Sequence, residues 1–177
     1  MKTILTLLAA LATLAGPAFA AAPLQHKSAT LACHERVIAL EADCFPAMGR
    51  RLACNRQSLS FTGAGGQKLN TREFKPDPAD NTYDYPAIEE KVGKLACVDT
   101  AAKESYVVAR MFNGGNCQQC EWFDVYTLDG VLVGDNRDRK KKNKIVDAAV
   151  DAANDEQAKR VVSENALEGF YFKKVKP

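Results

Sequence analysis

Six cysteines constrain this chain more than any other feature, because they limit both the compartment and the fold. They are Cys33, Cys44, Cys54, Cys97, Cys117 and Cys120. An even number of cysteines in an exported chain is typical of a disulfide framework. The sequence therefore predicts that sulfur holds strands and loops together.

The N-terminus predicts export. A lysine precedes an apolar run over residues 4–14, and Ala18-Phe19-Ala20 has the small-x-small pattern of a signal-peptidase site. The apolar run is too short to cross a bilayer comfortably. We expect a signal peptide over 1–20, a single secreted domain over 21–177, and a periplasmic or secreted location.

The charge balance narrows the classes of partner. The chain has 24 basic and 22 acidic residues, and this near-balance provides no overall attraction to nucleic acid or to anionic membranes. The length suits one domain with a sizeable core. We expect a protein of the cell envelope as partner, with no nucleic acid, no membrane span and no cofactor.

Several segments have the composition of strands. Residues 105–112 (SYVVARMF) are nearly continuous and β-branched, which predicts a central strand. A bulge is expected near Gln57, where the apolar phase shifts. Gly63 to Gly66 and Asp129-Gly130 are hairpin signals. Further strands are predicted at 30–41, 51–62, 68–74, 94–98, 122–128 and 131–133.

The periodicity changes near the C-terminus. Apolar residues recur at helical spacing from Ile145 to Ala153 and again from Ala158 to Ala166, with Gly169 as a stop. Strands therefore come first and helices last. This order predicts an α+β fold, mainly an antiparallel β-sheet or a small barrel or sandwich stapled by disulfides, with C-terminal helices.

The cysteine spacing is compatible with more than one pairing. Cys44 and Cys54 flank a turn, and Cys33 and Cys97 end two Leu-Ala-Cys segments. Cys117 and Cys120 either bond to each other or each bond to a strand cysteine.

The Cys117-Gln-Gln-Cys120 motif has two functional interpretations besides bracing. Redox chemistry needs a stabilised thiolate, usually at a helix N-terminus, but this motif lies between predicted strands beside the acidic Glu121 and Asp124. Zinc needs four ligands, and a composite site with Cys33 and His34 is the alternative. The sequence favours bracing.

The catalytic inventory is small. A Ser-His-Asp arrangement would have to use His26 or His34, and neither Gly-x-Ser-x-Gly nor His-Glu-x-x-His is present. A small envelope hydrolase using two carboxylates is a further alternative. The sequence indicates a protein that is not an enzyme.

Two loops are candidates for recognition, 75–86 and 113–117. Asn113, Gly114, Gly115 and Asn116 form a tight turn, and Trp122 and Tyr126 follow. Aromatic and adaptable polar residues make good binding surfaces, although a hairpin loop above core aromatics explains the same pattern. The basic run 137–144 either meets an acidic partner or solvates a loop. Together these features predict a non-enzymatic periplasmic binding protein, more specifically an inhibitor or immunity protein directed at a cell-envelope hydrolase.

Overall fold

The computed structural model describes residues 23–47, 51–76, 78, 85–114, 117, 119–138, 140, 142–155, 160–167 and 171. The predicted signal peptide over 1–20 lies outside them. Within these residues the chain forms nine strands and one helix: β1 (Gln25–Cys33), β2 (Arg36–Pro46), β3 (Leu52–Thr62), β4 (Lys68–Phe74), β5 (Lys91–Asp99), β6 (Ser105–Phe112), β7 (Glu121–Thr127), β8 (Leu132–Asp135), α1 (Lys144–Asn154) and β9 (Val161–Ala166).

The strands form two antiparallel sheets that pack face to face. The first sheet has the order β1-β2-β3-β4 and the second has the order β8-β7-β6-β5-β9. Ile38 and Leu59 from the first sheet and Val107 and Met111 from the second are fully buried in the core between them. The predicted α+β, mainly antiparallel class is confirmed, and β6 is the central strand of its sheet as predicted.

Helix α1 covers part of the outer face of the second sheet. The buried side of the helix packs against sheet residues such as Val98 and Val108 and forms a second core with them. This side consists of Val146, Ala149 and Ala152. The Asn143 side chain accepts hydrogen bonds from the first helical N–H groups and so caps the helix. The domain is thus layered as sheet, sheet and helix.

Two predicted elements are wrong. Residues 30–41 are not one strand, because His34 adopts a positive φ of 51° and turns β1 back onto β2. The helix predicted through 161–166 is a strand, β9, which pairs antiparallel with β5. Asn165 Nδ2 donates to Thr30 O at 3.0 Å, so the edge of β9 also contacts β1.

All six cysteines are paired, which confirms the predicted disulfide framework. Cys33–Cys97 joins the two sheets, Cys44–Cys54 joins neighbouring strands, and Cys117–Cys120 closes a loop. The register of β2 and β3 shifts at Cys44, so that Asn55 is the extra residue of a bulge close to the predicted position.

Candidate functional site

Four connections meet at one end of the sandwich, which we call the loop end. They are the links β2–β3, β4–β5, β6–β7 and β8–α1. The Ile88 N–H donates to Cys54 O at 2.8 Å, and Arg137 pairs with Glu90 at 2.5 Å. The pairing of Lys91 with Phe112 also places the described ends of both predicted recognition loops, 75–86 and 113–117, at this end. Positions 77, 79–84, 115 and 116 lie outside the described residues.

The β6–β7 loop is closed by several bonds. The Asn113 N–H donates to Cys120 O at 3.0 Å, and the Cys120 N–H donates to Cys117 O at 3.1 Å. The disulfide Cys117–Cys120 ties the same residues covalently. Gly114 has a φ of +80°, a conformation that favours glycine. Gly114, Cys117 and Gln119 are exposed, and we call these three residues the tip of the loop.

The two predicted aromatic contact residues do not form an exposed rim. Trp122 is 4% exposed and Tyr126 is 1% exposed, because both alternate toward the core face of β7. The alternative interpretation, a hairpin loop above core aromatics, therefore describes these two residues.

Arg137 connects the loop end to this buried aromatic layer. Its guanidinium carbon lies 3.9 Å from the centroid of the Trp122 ring, and its other contact is the Glu90 carboxylate. A cation over an indole face is a favourable contact. The first residue of the predicted basic run thus has a packing role, while Lys140 and Lys142 are exposed. Only the charge of the run, and not this contact, was visible in the sequence.

A polar network that the sequence did not indicate lies behind Trp122. Asp124 accepts hydrogen bonds from Arg72 Nη1 at 2.6 Å, Trp122 Nε1 at 3.0 Å and the Tyr126 hydroxyl at 3.2 Å. Burial raises the pKa of Asp124, and the nearby Arg72 cation opposes that shift. Burial also raises the pKa of Tyr126. The network links the two sheets, and its buried position favours a structural role.

A serine, a histidine and an aspartate meet at the opposite end. His34 Nε2 lies 2.9 Å from Asp99 Oδ1 and 3.0 Å from Ser105 Oγ, and Ser105 donates to Asp99 at 2.6 Å. A catalytic triad uses opposite ring nitrogens for the acid and the nucleophile. Here both partners contact the same nitrogen. An imidazole that presents one nitrogen to both partners does not have the arrangement of a triad base.

The composite zinc site is not formed. Cys33 bonds to Cys97 and lies with His34 at the opposite end from Cys117. Among the described residues, no group of three or more His, Cys, Asp or Glu side chains is arranged to hold a metal ion.

A groove of about 540 Å³ lies on the outer face of the second sheet, between the last turn of α1 and the loop end. Ala96, Val108 and Phe123 form its apolar floor, and Arg110 and Glu121 border it on the side of the disulfide loop. Its volume is in the range of small-ligand sites.

The fold and these surfaces define a disulfide-braced β-sandwich with a helix on one outer face. The chain matches no protein-family model, no curated protein and no solved structure. In the parts of the chain that the structure describes, no helix has the length and apolar character needed to span a membrane.

Proposed function

We propose that this is a non-enzymatic binding protein of the cell envelope, exported by the predicted signal over 1–20 and active in the periplasm or outside the cell. Its three disulfides are compatible with an oxidising compartment. The observation that supports binding most directly is the loop end, where the closed β6–β7 loop stands beside three other connections.

The bonds at the base of the β6–β7 loop support its use in recognition. The disulfide Cys117–Cys120 and the hydrogen bond between Asn113 and Cys120 fix its base. Arg137, held by Trp122 and Glu90, fixes the neighbouring connection. A loop that is ordered before binding loses less conformational entropy when the complex forms. The exposed tip at Gly114 and Gln119 is the part we expect to enter a partner.

The sharper form of the proposal is an inhibitor or immunity protein directed at a cell-envelope hydrolase. A loop whose base is closed by a disulfide suits insertion into a cleft, which is the shape of a hydrolase active site. Lys140 and Lys142 are exposed at the loop end and favour encounter with an acidic rim.

The experiment uses the processed protein, immobilised and exposed to envelope extracts. Gln119→Arg places a large charged side chain on the tip, and Ala64→Arg makes a matched change in the exposed β3–β4 turn at the opposite end. We expect the immobilised wild type and the Ala64→Arg variant to retain the same envelope protein, and the Gln119→Arg variant not to retain it. We expect wild type to inhibit it if it is a hydrolase.

Two results would remove the proposal. One is that no envelope protein is retained specifically. The other is that Ala64→Arg abolishes retention while Gln119→Arg leaves it unchanged. Retention of a partner whose hydrolytic activity is unchanged would remove the inhibitor form and leave the binding function.

A further inference from the structure

The groove on the outer face of the second sheet is built from one cross-strand row. Lys94 pairs with Arg110, and Arg110 pairs with Phe123, in the registers of β5, β6 and β7. Neighbouring strands lie about 4.8 Å apart, so two cations and one aromatic ring follow each other across the groove. This row lies outside the loops of the proposed function.

Charges of both signs line the groove. Arg110 pairs with Glu121 at 2.5 Å, and Lys94 pairs with Glu164 at 2.6 Å. All four side chains are at least one-third exposed, so these pairs are accessible to a ligand. The last turn of α1 forms one wall and contains no basic residue. The C-terminal end of a helix carries partial negative charge.

This pattern discriminates between classes of ligand. A simple anion would meet Lys94 and Arg110 but also Glu121 and the helix terminus. A simple cation would be attracted by Glu121 and the helix terminus but repelled by Lys94 and Arg110. A molecule with a carboxylate, an ammonium group and an apolar side chain matches all three surfaces, because Phe123, Ala96 and Val108 provide an apolar floor.

We propose that this groove binds an amino acid or short peptide as a zwitterion. The ligand carboxylate contacts Arg110 and Lys94, its ammonium group faces Glu121 or the C-terminal end of α1, and its apolar side chain packs on Phe123. A guanidinium and a carboxylate form strong charge-assisted hydrogen bonds, which gives Arg110 the largest role.

The test is a titration of the ¹⁵N-labelled processed protein with L-alanyl-L-phenylalanine, followed through backbone amide shifts. We expect saturable shifts at Lys94, Arg110 and Phe123, with a dissociation constant on the order of 1 mM or below. N-acetylation or C-amidation of the dipeptide is expected to weaken binding about tenfold, because each removes one charge.

A matched pair of variants locates the site. Arg110→Gln is expected to weaken dipeptide binding about tenfold. Arg56→Gln changes an equivalent exposed arginine, paired with Asp43 on the other sheet, and should leave binding unchanged. The amide spectrum of each free variant serves as the check that the variant is folded.

Several results would overturn the proposal. They are the absence of saturable shifts with the dipeptide, equal affinity for the free and blocked forms, or equal effects of the two variants. A response to the neutral disaccharide N,N′-diacetylchitobiose without a response to the dipeptide would also overturn it, since the ligand would then be a glycan.

Discussion

The guanidinium of Arg72 lies 2.6 Å from the carboxylate of Asp124, and this ion pair joins β4 at the edge of the first sheet to β7 of the second. Asp124 is 3% exposed, whereas Arg72 remains partly exposed. A carboxylate at this depth needs a charged partner and hydrogen bonds to remain ionised. The pair therefore contributes to holding the sandwich closed on this side.

Replacing Arg72 by leucine should destabilise the protein strongly. The substitution leaves the Asp124 charge buried without its cation, which costs about 3 kcal/mol of unfolding free energy. Guanidinium chloride denaturation at pH 7 measures this change. Arg56→Gln, which breaks the exposed pair with Asp43, should cost less than about 1 kcal/mol. Equal losses in the two variants would contradict the role of the buried pair.

The loss of unfolding free energy caused by Arg72→Leu should depend on pH. Burial raises the pKa of Asp124, and the Arg72 cation lowers it. A carboxyl whose pKa is higher in the folded state binds more protons there, so its contribution to stability falls as pH rises above about 4. Loss of the Arg72 cation raises the pKa of Asp124 in the folded state further. The deficit relative to wild type should be smaller at about pH 4 than at pH 7, and a constant deficit would refute this account.

The cysteine pairs should stabilise the fold unequally. Cys33–Cys97 spans 64 residues and Cys44–Cys54 spans 10. Because longer loops lose more entropy on closure, replacing the first pair by alanines should cost roughly 4 kcal/mol and the second roughly 3 kcal/mol. Denaturant midpoints of the two double variants measure the difference. The reverse order would show that entropy of the unfolded chain does not dominate.

The disulfide Cys117–Cys120 should resist exchange with glutathione. No described helix begins at Cys117, and Glu121 adjoins Cys120, so a thiolate at Cys117 would gain little stabilisation. The Cys117 N–H donates to Cys120 Sγ at 3.1 Å, which is a single hydrogen bond to the other sulfur. A disulfide whose reduced form is not stabilised has a low reduction potential. Alkylation and mass spectrometry in glutathione buffers at about −200 mV should find the pair oxidised. Rapid alkylation of Cys117 under these conditions would support a redox protein instead.

Ser105 should not behave as an activated nucleophile. Its hydroxyl donates to Asp99, and this hydrogen bond is the main cause of the lowered pKa of the Asp99 carboxyl. His34 presents the same ring nitrogen to Asp99 and to Ser105, so its imidazole is not oriented as a triad base for this hydroxyl. A fluorophosphonate probe should therefore label wild type no faster than Ser105→Ala. Labelling of Ser105 that depends on His34 would support a serine hydrolase instead.

Much of the strand pattern could be predicted because side-chain alternation and turn residues are local signals. Strands β4 and β6 have the predicted bounds, and the Gly63 turn lies between β3 and β4. The turn at His34 was missed because it contains no glycine, proline or asparagine. The β9 segment was missed because its apolar spacing also fits a helix, and only pairing with β5 decides between them.

The candidate site was harder to predict because its contacts are distant in sequence. Trp122 and Tyr126 follow the loop closely, which suggested a rim, but their alternation with Asp124 places all three toward the core. The polar Asp124 obscured that signal, since its partner Arg72 is on another sheet. The contact between Arg137 and Trp122 likewise depends on the tertiary fold.

The most direct test of recognition at the loop end is the dissociation constant of the captured envelope partner, measured by calorimetry for wild type, Gln119→Arg and Ala64→Arg. We predict at least about tenfold weaker binding for Gln119→Arg and an unchanged constant for Ala64→Arg, because only Gln119 lies on the disulfide-closed tip. Weakening by Ala64→Arg with no effect of Gln119→Arg would contradict the account.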